Sequence, residues 1–239
     1  MEFESPLREA EFIKRYKRFF ADVRVNGEIV VAHVPNTGSL KTCLFEGSPC
    51  LITESTNPAR KLKATLHFLK TPSGWAGVNT SLPNLLVHHA WQHKRIPEWN
   101  EFLVAQREYK ISKESRIDLV LARSPEELTH KRNLHHIEVK NVTLAEGDLA
   151  LFPDAVTARG QKHLQDLMRL KAEGQGAEIV FVVQREGCRA FSPADAIDPV
   201  YGRLLREAHA AGVRIRVLAC GIDPSVGITL NPKPLALVL

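Results

Sequence analysis

The sequence predicts a mixed α/β (α+β) protein in two parts: a small β-barrel over residues 1–80 and a mixed sheet with helices on its faces over residues 81–239. Three observations predict it. Residues 12–80 break into short strand-like runs separated by turn signals. From about residue 81 the pattern turns helical and then alternates strands with helices. The stretch "AEIVFVVQ" (177–184) reads as a continuous apolar run, as expected of a strand buried on both faces.

The elements follow in order. Strands are expected at roughly 16–25, 28–34, 49–54, 62–70 and 74–79. "VNGE" (25–28) carries an Asn-Gly hairpin turn. "VPNTGS" (34–39) and "TPSGWAG" (71–77) are turn clusters. About five short strands in so little chain favour a closed or nearly closed barrel. "LPNLLVHHAWQ" (82–92) is helical, with Leu85, Leu86, His89 and His93 at helical spacing. A shorter helical stretch is expected at 97–105, then strands at 107–112, 116–122 and 135–142. A helix is expected from near Asp154 to Ala172, and the strand at 177–184 follows it. A helix at 199–211 leads into a strand at 213–220, and the tail "ITLNPKPLALVL" packs as an extended edge.

The bulk numbers narrow the function classes. The formal charge is +5 and the sequence pI about 9.1, which permits polyanion binding without demanding it. Cys43, Cys50, Cys188 and Cys220 include no CxxC pair, so a zinc ribbon is not expected. Their apolar neighbours suit reduced thiols in the cytoplasm. The start, "MEFESPLREA", has no apolar signal-peptide core, and no apolar run approaches the ~20 residues of a membrane helix. A cytoplasmic protein that does not enter membranes is the expectation. The absence of GxSxG, Walker A and GxGxxG argues against serine hydrolases, P-loop NTPases and Rossmann dehydrogenases. His89 and His93 could form half a zinc site, but no HExxH or nearby Cys completes it.

The chemistry resides in charges set inside strands. "SRIDLVLARS" (115–124) carries Asp118, and "LHHIEVKNVT" (134–143) carries Glu138 and Lys140. Burying an unpaired charge costs several kcal/mol or about that order, so something must compensate. In a strand, residues two apart share a face, so Glu138, Lys140 and His136 project together, away from Ile137 and Val139. Asp118 shares a face with Val120, opposite Ile117, Leu119 and Leu121. Antiparallel pairing across the loop at 123–133 lets Asp118 and Glu138 face a common ion. Mg²⁺ or Mn²⁺ would offset their repulsion, with the Val139 carbonyl as a further ligand. Lys140 would orient a water or stabilise developing negative charge. These parts describe metal-assisted hydrolysis of a phosphodiester. The bland alternative is a solvated ion pair worth roughly 0–1 kcal/mol.

"TARGQKHLQDLMRL" (157–170) follows, with Leu164, Leu167 and Met168 as its apolar stripe and Arg159, Lys162 and Arg169 off it. Gly160 permits a close backbone approach. Gln161 could orient a water or a phosphate. Near the other end of the chain, "FIKRYKRFFADVR" (12–24) holds Lys14, Arg15, Lys17, Arg18 and Arg24, interleaved with Phe12, Tyr16, Phe19 and Phe20. A second basic cluster is Arg60, Lys61 and Lys63. Such cations neutralise phosphates, and such aromatics stack bases or fill a core. No major-groove reading helix is present in the pattern, so weakly specific binding is expected.

D…E-x-K on consecutive strands is the pattern of the PD-(D/E)XK nuclease superfamily, matched here by Asp118, Glu138 and Lys140. Four longer segments, "VPNTGSL" (34–40), "SRIDLVL" (115–121), "IEVKNVTL" (137–144) and "FPDAVTARGQKHL" (152–164), resemble in order the sugar fermentation stimulation protein family. The resemblance spans essentially the whole chain. It implies an OB-like barrel joined to a PD-(D/E)XK nuclease-like domain, non-specific DNA binding, and a regulatory role in sugar (maltose) metabolism. Two features depart from the superfamily. Ile117, not Pro, precedes Asp118, and Pro153-Asp154 follows the E-x-K strand, so it is not assigned the PD role. Glu98, Glu101 and Glu108 compete for the further upstream acid, with Glu108 or Glu98 preferred. The expected function is non-specific DNA binding with a Mg²⁺-dependent phosphodiesterase site. The alternatives are a DNA-binding regulator without catalysis and an RNA-directed enzyme. Single- or double-stranded DNA and the oligomeric state stay open.

Overall fold

The computed structural model describes residues 3 and 5–239; Met1, Glu2 and Glu4, within the polar start read above, lie outside the described residues. The first sheet runs β3-β2-β1-β4-β5-β6, from β1 (Arg8–Tyr16), β2 (Phe20–Val25), β3 (Glu28–His33), β4 (Pro49–Glu54), β5 (Ala64–Thr71) and β6 (Gly74–Gly77). Parallel pairing of Ala32 with Ala64 and His33 with Thr65 joins β3 to β5 and closes β1–β5 into a barrel. The connectivity is that of an OB barrel. Its interior is Phe12, Val23, Ile52, Leu66 and Leu69, each essentially inaccessible to water.

The run expected as one strand at 16–25 is split. The chain reverses at Lys17 and Arg18, both with left-handed φ of 47° and 62°, between β1 and β2. The Asn26-Gly27 turn joins β2 to β3 with φ of 51° and 88°, as the Asn-Gly signal predicts.

The second half is built on a six-stranded sheet of order β15-β14-β12-β9-β8-β7. Its strands are β7 (Val104–Lys110), β8 (Arg116–Ala122), β9 (His135–Val142), β12 (Gly176–Val183), β14 (Arg214–Asp223) and β15 (Gly227–Pro234). Strands β9, β12 and β14 are parallel, and the flanking pairs are antiparallel. β15 takes the edge expected of the tail. A smaller four-stranded sheet, β10 (Leu144–Glu146), β11 (Leu149–Phe152), β13 (Ala190–Pro193) and β16 (Ala236–Leu237), was not legible beforehand.

Helix α1 (Leu82–Gln92) covers one face of the large sheet together with barrel residues Leu51, Phe68 and Trp75. Helices α3 (Ala158–Ala172) and α4 (Pro199–Ala210) cover the other through Leu164, Leu167, Tyr201 and Leu205. The short helix α2 (Pro125–His130) lies in the β8–β9 connection. The stretch expected to be helical at 97–105 makes only one 3₁₀ turn, Pro97–Trp99, before β7 begins at Val104. The turn plants Trp99 in the core at 1% exposure, after which the chain is drawn into the sheet.

The two halves share backbone. Gly77 N donates to Gln184 O (2.7 Å) and Glu186 N to Trp75 O (2.9 Å), so β6 continues its pairing onto the chain leaving β12. A Cβ on Gly77 would stand 2.5 Å from the Gln184 side chain, so only glycine permits this approach.

Candidate functional site

Strands β8 and β9 pair antiparallel, Leu119 with Ile137 and Val120 with His136, a register that carries on to set Asp118 across from Glu138. The expected alternation fails at one point. Leu119 and Leu121 join the core beneath α1, and Val120 the core beneath α3, yet Ile117 joins Val120. The pleat is therefore interrupted at Asp118. Its carboxylate accepts from Asn84 Nδ2 of α1 (2.8 Å, at Oδ1) and from Val139 N (2.8 Å, at Oδ2).

Glu138 is 2% exposed. Its Oε1 accepts from Lys140 Nζ (2.6 Å) and contacts His163 Nδ1 of α3, while its buried Oε2 has no hydrogen-bond partner among the described residues. Arg159 Nε donates to His163 Nε2 (3.4 Å). An arginine can only donate, so in the neutral imidazole the ring proton sits on Nδ1 and points at Glu138. The approach of Lys140 Nζ to that same Nδ1 (3.0 Å) is then a packing contact.

Asp118, Glu138, Val139, Lys140 and Arg159 all line one cavity of about 400 Å³. Burial pushes the Asp118 carboxyl up to about 6, and the charge of Glu138 adds to it. Burial pushes Glu138 up as well, but Lys140 and His163 outweigh it and hold the group below the ordinary carboxylate range. The two acids are thus held in different proton affinities within one cavity.

Other site expectations fare differently. Glu108 does not complete the site. It is exposed on β7 with a left-handed φ of 51°, a local break that turns it to solvent. Glu98 pairs with Arg216 (3.2 Å) and Glu101 with Arg123 (2.7 Å). Gln161 does not reach the cavity. Its amide donates to Asp198 (3.0 and 3.1 Å), which also caps α4 at Tyr201 N and holds Thr157 N at the start of α3. Lys162 points outward, paired with Glu114 (3.3 Å).

On the barrel, Lys14 pairs with Asp22 (3.6 Å) and Arg24 with Glu11 (2.7 Å). Arg15 is not a free phosphate ligand, because its guanidinium donates to the carbonyls of Asn36 (2.7 Å), Gly38 (2.8 Å) and Ser39 (3.2 Å). Burial lowers its pKa. Lys17, Arg18 and Lys61 are exposed, Arg60 donates to Thr65 Oγ1 (2.9 Å), and Lys63 to Asn57 O (2.7 Å). Phe12 is core, Phe19 is 42% exposed, and Tyr16 stacks on Phe20 with centroids 5.7 Å apart.

The cavity also holds residues that sequence reasoning missed: Asn36, Thr37 and Gly38 from the barrel, Asn84, Asp154 and His163. Asp154 Oδ2 accepts from Ser39 N (2.8 Å) and Ser39 Oγ (3.2 Å). The signal was present for all but Asn84, since the others fall in "VPNTGSL" and "FPDAVTARGQKHL", whereas Asn84 reads as one polar residue of a helix. Among the described residues no three or more His, Cys, Asp or Glu side chains converge as a ready metal cage, and His89 stacks on His93 (3.9 Å) without a third ligand. A cation would rely on two carboxylates supplemented by carbonyl and water oxygens, the habit of Mg²⁺ rather than Zn²⁺.

A closed OB barrel packed on a mixed sheet, with an acid–lysine cavity where they meet, defines a two-part barrel-and-sheet protein. The chain belongs to the sugar fermentation stimulation protein family. The "SfsA N-terminal OB domain" profile matches residues 13–78 and the "Sugar fermentation stimulation protein RE domain" profile residues 81–226. The homolog from Bdellovibrio bacteriovorus is 51% identical over 246 residues, covering 98% of this chain and 99% of that protein. That from Geotalea uraniireducens is 45% identical over 234 residues, covering 98% of each. The solved structure of Pyrococcus furiosus SfsA in complex with Ca²⁺ superposes with a TM-score of 0.87 at 29% identity, covering 100% of this chain and 98% of that one. No helix among the described residues is long and apolar enough to cross a membrane.

Proposed function

We propose that this protein binds DNA without sequence specificity and hydrolyses phosphodiesters in the Asp118–Glu138–Lys140 cavity with the help of Mg²⁺ or Mn²⁺. The observation that carries this reading is Glu138 Oε2, a buried carboxylate oxygen without a partner among the described residues, on a side chain that lines one cavity with Asp118. An orphaned buried oxygen costs about 1–3 kcal/mol or more unless something binds it. Asp118, Glu138 and the Val139 carbonyl would hold the cation, and the Pyrococcus relative, solved in complex with Ca²⁺, supports a divalent ion as a ligand of this fold. When bound, such an ion polarises a phosphoryl oxygen and lowers the pKa of a bound water.

The chain's own groups do the rest. Asn84 and the Val139 amide fix the Asp118 carboxylate. Lys140, held by Glu138, places a positive charge where charge develops on the phosphate. Arg159 on the cavity wall neutralises a neighbouring phosphate, and exposed Lys17, Arg18 and Lys61 give the salt-sensitive attraction of a basic surface. The protein works in the cytoplasm, where its free cysteines stay reduced. A regulatory role in sugar use, maltose included, would be exerted through this DNA binding.

A second reading is a DNA-binding regulator with no catalysis. It is favoured by the ion pair Lys140 already makes with Glu138. Incubation with single- and double-stranded DNA plus Mg²⁺ or Mn²⁺ separates the two. The expected result is cleavage that Glu138→Ala abolishes. Intact DNA under every condition, with no heat of cation binding, leaves the second reading standing.

Binding of the cation should weaken as the pH falls. In the metal-free protein Asp118 titrates at about 6, above the 3.8 of a free side chain, so folding favours its protonated form. That share of stability is complete below about 3.8 and is lost as pH rises through about 6. A cation needs the carboxylate and must displace this proton at low pH. The rise in melting temperature caused by Mn²⁺ is therefore expected to be small at pH 5 and large at pH 7.5. Equal shifts at both pH values would show that Asp118 is not a ligand.

A further inference from the structure

We propose that the barrel loop 36–39 roofs the acid–lysine cavity and restricts it to a single DNA strand or an unpaired end, excluding intact duplex; this rests on the phosphodiesterase reading above. The cavity of about 400 Å³ is roughly 9 Å across if taken as a sphere, the scale of a nucleotide. Its walls come from both halves of the chain. Asn36, Thr37 and Gly38 stand on the barrel side, with Asp118, Glu138 and Lys140 opposite. A duplex is stiff over about 150 bp, and extruding one nucleotide from its stack into a space of this size costs a few kcal/mol. A single strand can splay one nucleotide into the space, where Leu151 and Phe152 offer an apolar wall to its sugar and base.

The roof is fixed, not draped. Arg15 donates to three of its carbonyls. Asn36 binds the Val78 carbonyl through its amide (2.8 Å) and accepts from Gly38 N (2.7 Å). Asp154 in turn latches Ser39 through both its N–H and its hydroxyl. Gly38 leaves room for that latch, since a Cβ there would lie 2.5 Å from Asp154 Oδ2. Asp154 is thus a positioning residue. The approach to the roof is suited to an unpaired strand too. Val34 N donates to Phe19 O (2.7 Å), which ties the β1–β2 turn, with its exposed Phe19, to the chain two residues before the loop. Aromatics there can stack bases that a duplex would keep hidden.

The test uses the full chain and fluorescence anisotropy. A labelled single-stranded oligonucleotide and the blunt duplex of the same sequence are titrated with and without Ca²⁺, used in place of Mg²⁺ to limit cleavage. Calorimetry of Ca²⁺ alone is run in parallel. Ca²⁺ is expected to tighten single-strand binding about tenfold or more and to leave the duplex within about twofold. Asp154→Ala, checked by its melting temperature, is expected to narrow this difference by raising the Ca²⁺ response of the duplex. Equal tightening of both DNAs overturns the roof and leaves the phosphodiesterase reading intact. So does an unchanged difference in Asp154→Ala, or Ca²⁺ heat without tightening of either DNA. Absence of both Ca²⁺ heat and tightening overturns the phosphodiesterase reading, and the roof's selectivity with it.

Discussion

Replacing Lys140 with alanine is expected to slow DNA cleavage by orders of magnitude while tightening the binding of the divalent cation. The two effects oppose each other because Lys140 has two roles. Its Nζ lies 2.6 Å from Glu138 Oε1, with side-chain exposures of 13% and 3%. In the metal-free protein the ammonium is the counter-charge that helps hold Glu138 ionised against burial. A cation bound by Glu138 competes with it for the same carboxylate. Removing the ammonium leaves a buried charge short of a partner, a change that costs about 3–5 kcal/mol in buried pairs. The metal-free variant should therefore melt well below the parent. Mn²⁺ binds only the folded state and should recover most of that loss. Cleavage should fall by about 10²–10³, the range for losing one preorganised group at developing charge. The measurements belong at pH 8, so that Glu138 stays ionised without its lysine. Weaker Mn²⁺ binding in the variant would show that Lys140 supports the cation site instead of competing for it.

Lys140 could be found in the sequence because charge inside a strand-like run is conspicuous, and so could Asp118 and Glu138. The same logic failed where a residue's partner is remote. Asp154 and Ser39 are 115 positions apart, and no periodicity connects them. Pro153-Asp154 was set aside because it follows the E-x-K strand, yet Asp154 lines the cavity through the barrel loop. His163 sits on the predicted helix, but its contact with Glu138 depends on how α3 crosses the sheet. Gln161 and Arg15 show the converse. Both were recognised as polar groups able to bind phosphate, and both are engaged with the protein itself, at Asp198 and at the roof carbonyls. Residue type announces a capacity for hydrogen bonding, not which partner takes it.

The fold was legible where an element is long enough for its period to repeat. The helix expected at 82–92 is α1, Leu82–Gln92, whose Leu82, Leu86 and Ala90 repeat along the buried face. The strands expected at 116–122 and 135–142 match β8 and β9. Strands β10, β11, β13 and β16 span only two to four residues each, too few for alternation to register. The hairpin at Lys17-Arg18 was hidden because two basic residues in left-handed conformation carry none of the Gly or Asn signals that mark a turn.

A buried acid that sequence reading passed over should dominate stability. Glu178 lies within the run read as apolar, and it is wholly buried. Replacing it with alanine is expected to lower the melting temperature by on the order of 10 °C. Its carboxylate accepts from Arg216 Nε (2.5 Å), Trp99 Nε1 (3.0 Å) and His135 Nε2 (2.8 Å). Burial alone would raise its pKa, but His135 and Arg216 hold it below the ordinary range. One side chain on β12 thus ties together the turn after α1, the first residue of β9 and strand β14. Alanine would leave Arg216, itself 6% exposed in its side chain, facing a void, with the half-exposed Glu98 and the Trp99 ring (5.5 Å) as its remaining support. Breaking a buried pair in this way costs about 3–5 kcal/mol. Glu178→Gln keeps the volume and some of the hydrogen bonds while losing the charge, so it should fall between parent and alanine. The loss should reach the cavity as well, because β9 carries Glu138 and Lys140 and its pairing with β12 begins beside this cluster, at His135 with Gly176. Thermal melting of the two variants measures the ordering. A drop of less than about 2 °C for alanine would mean that the burial of the carboxylate cancels its three bonds, as it can in ion pairs taken out of water.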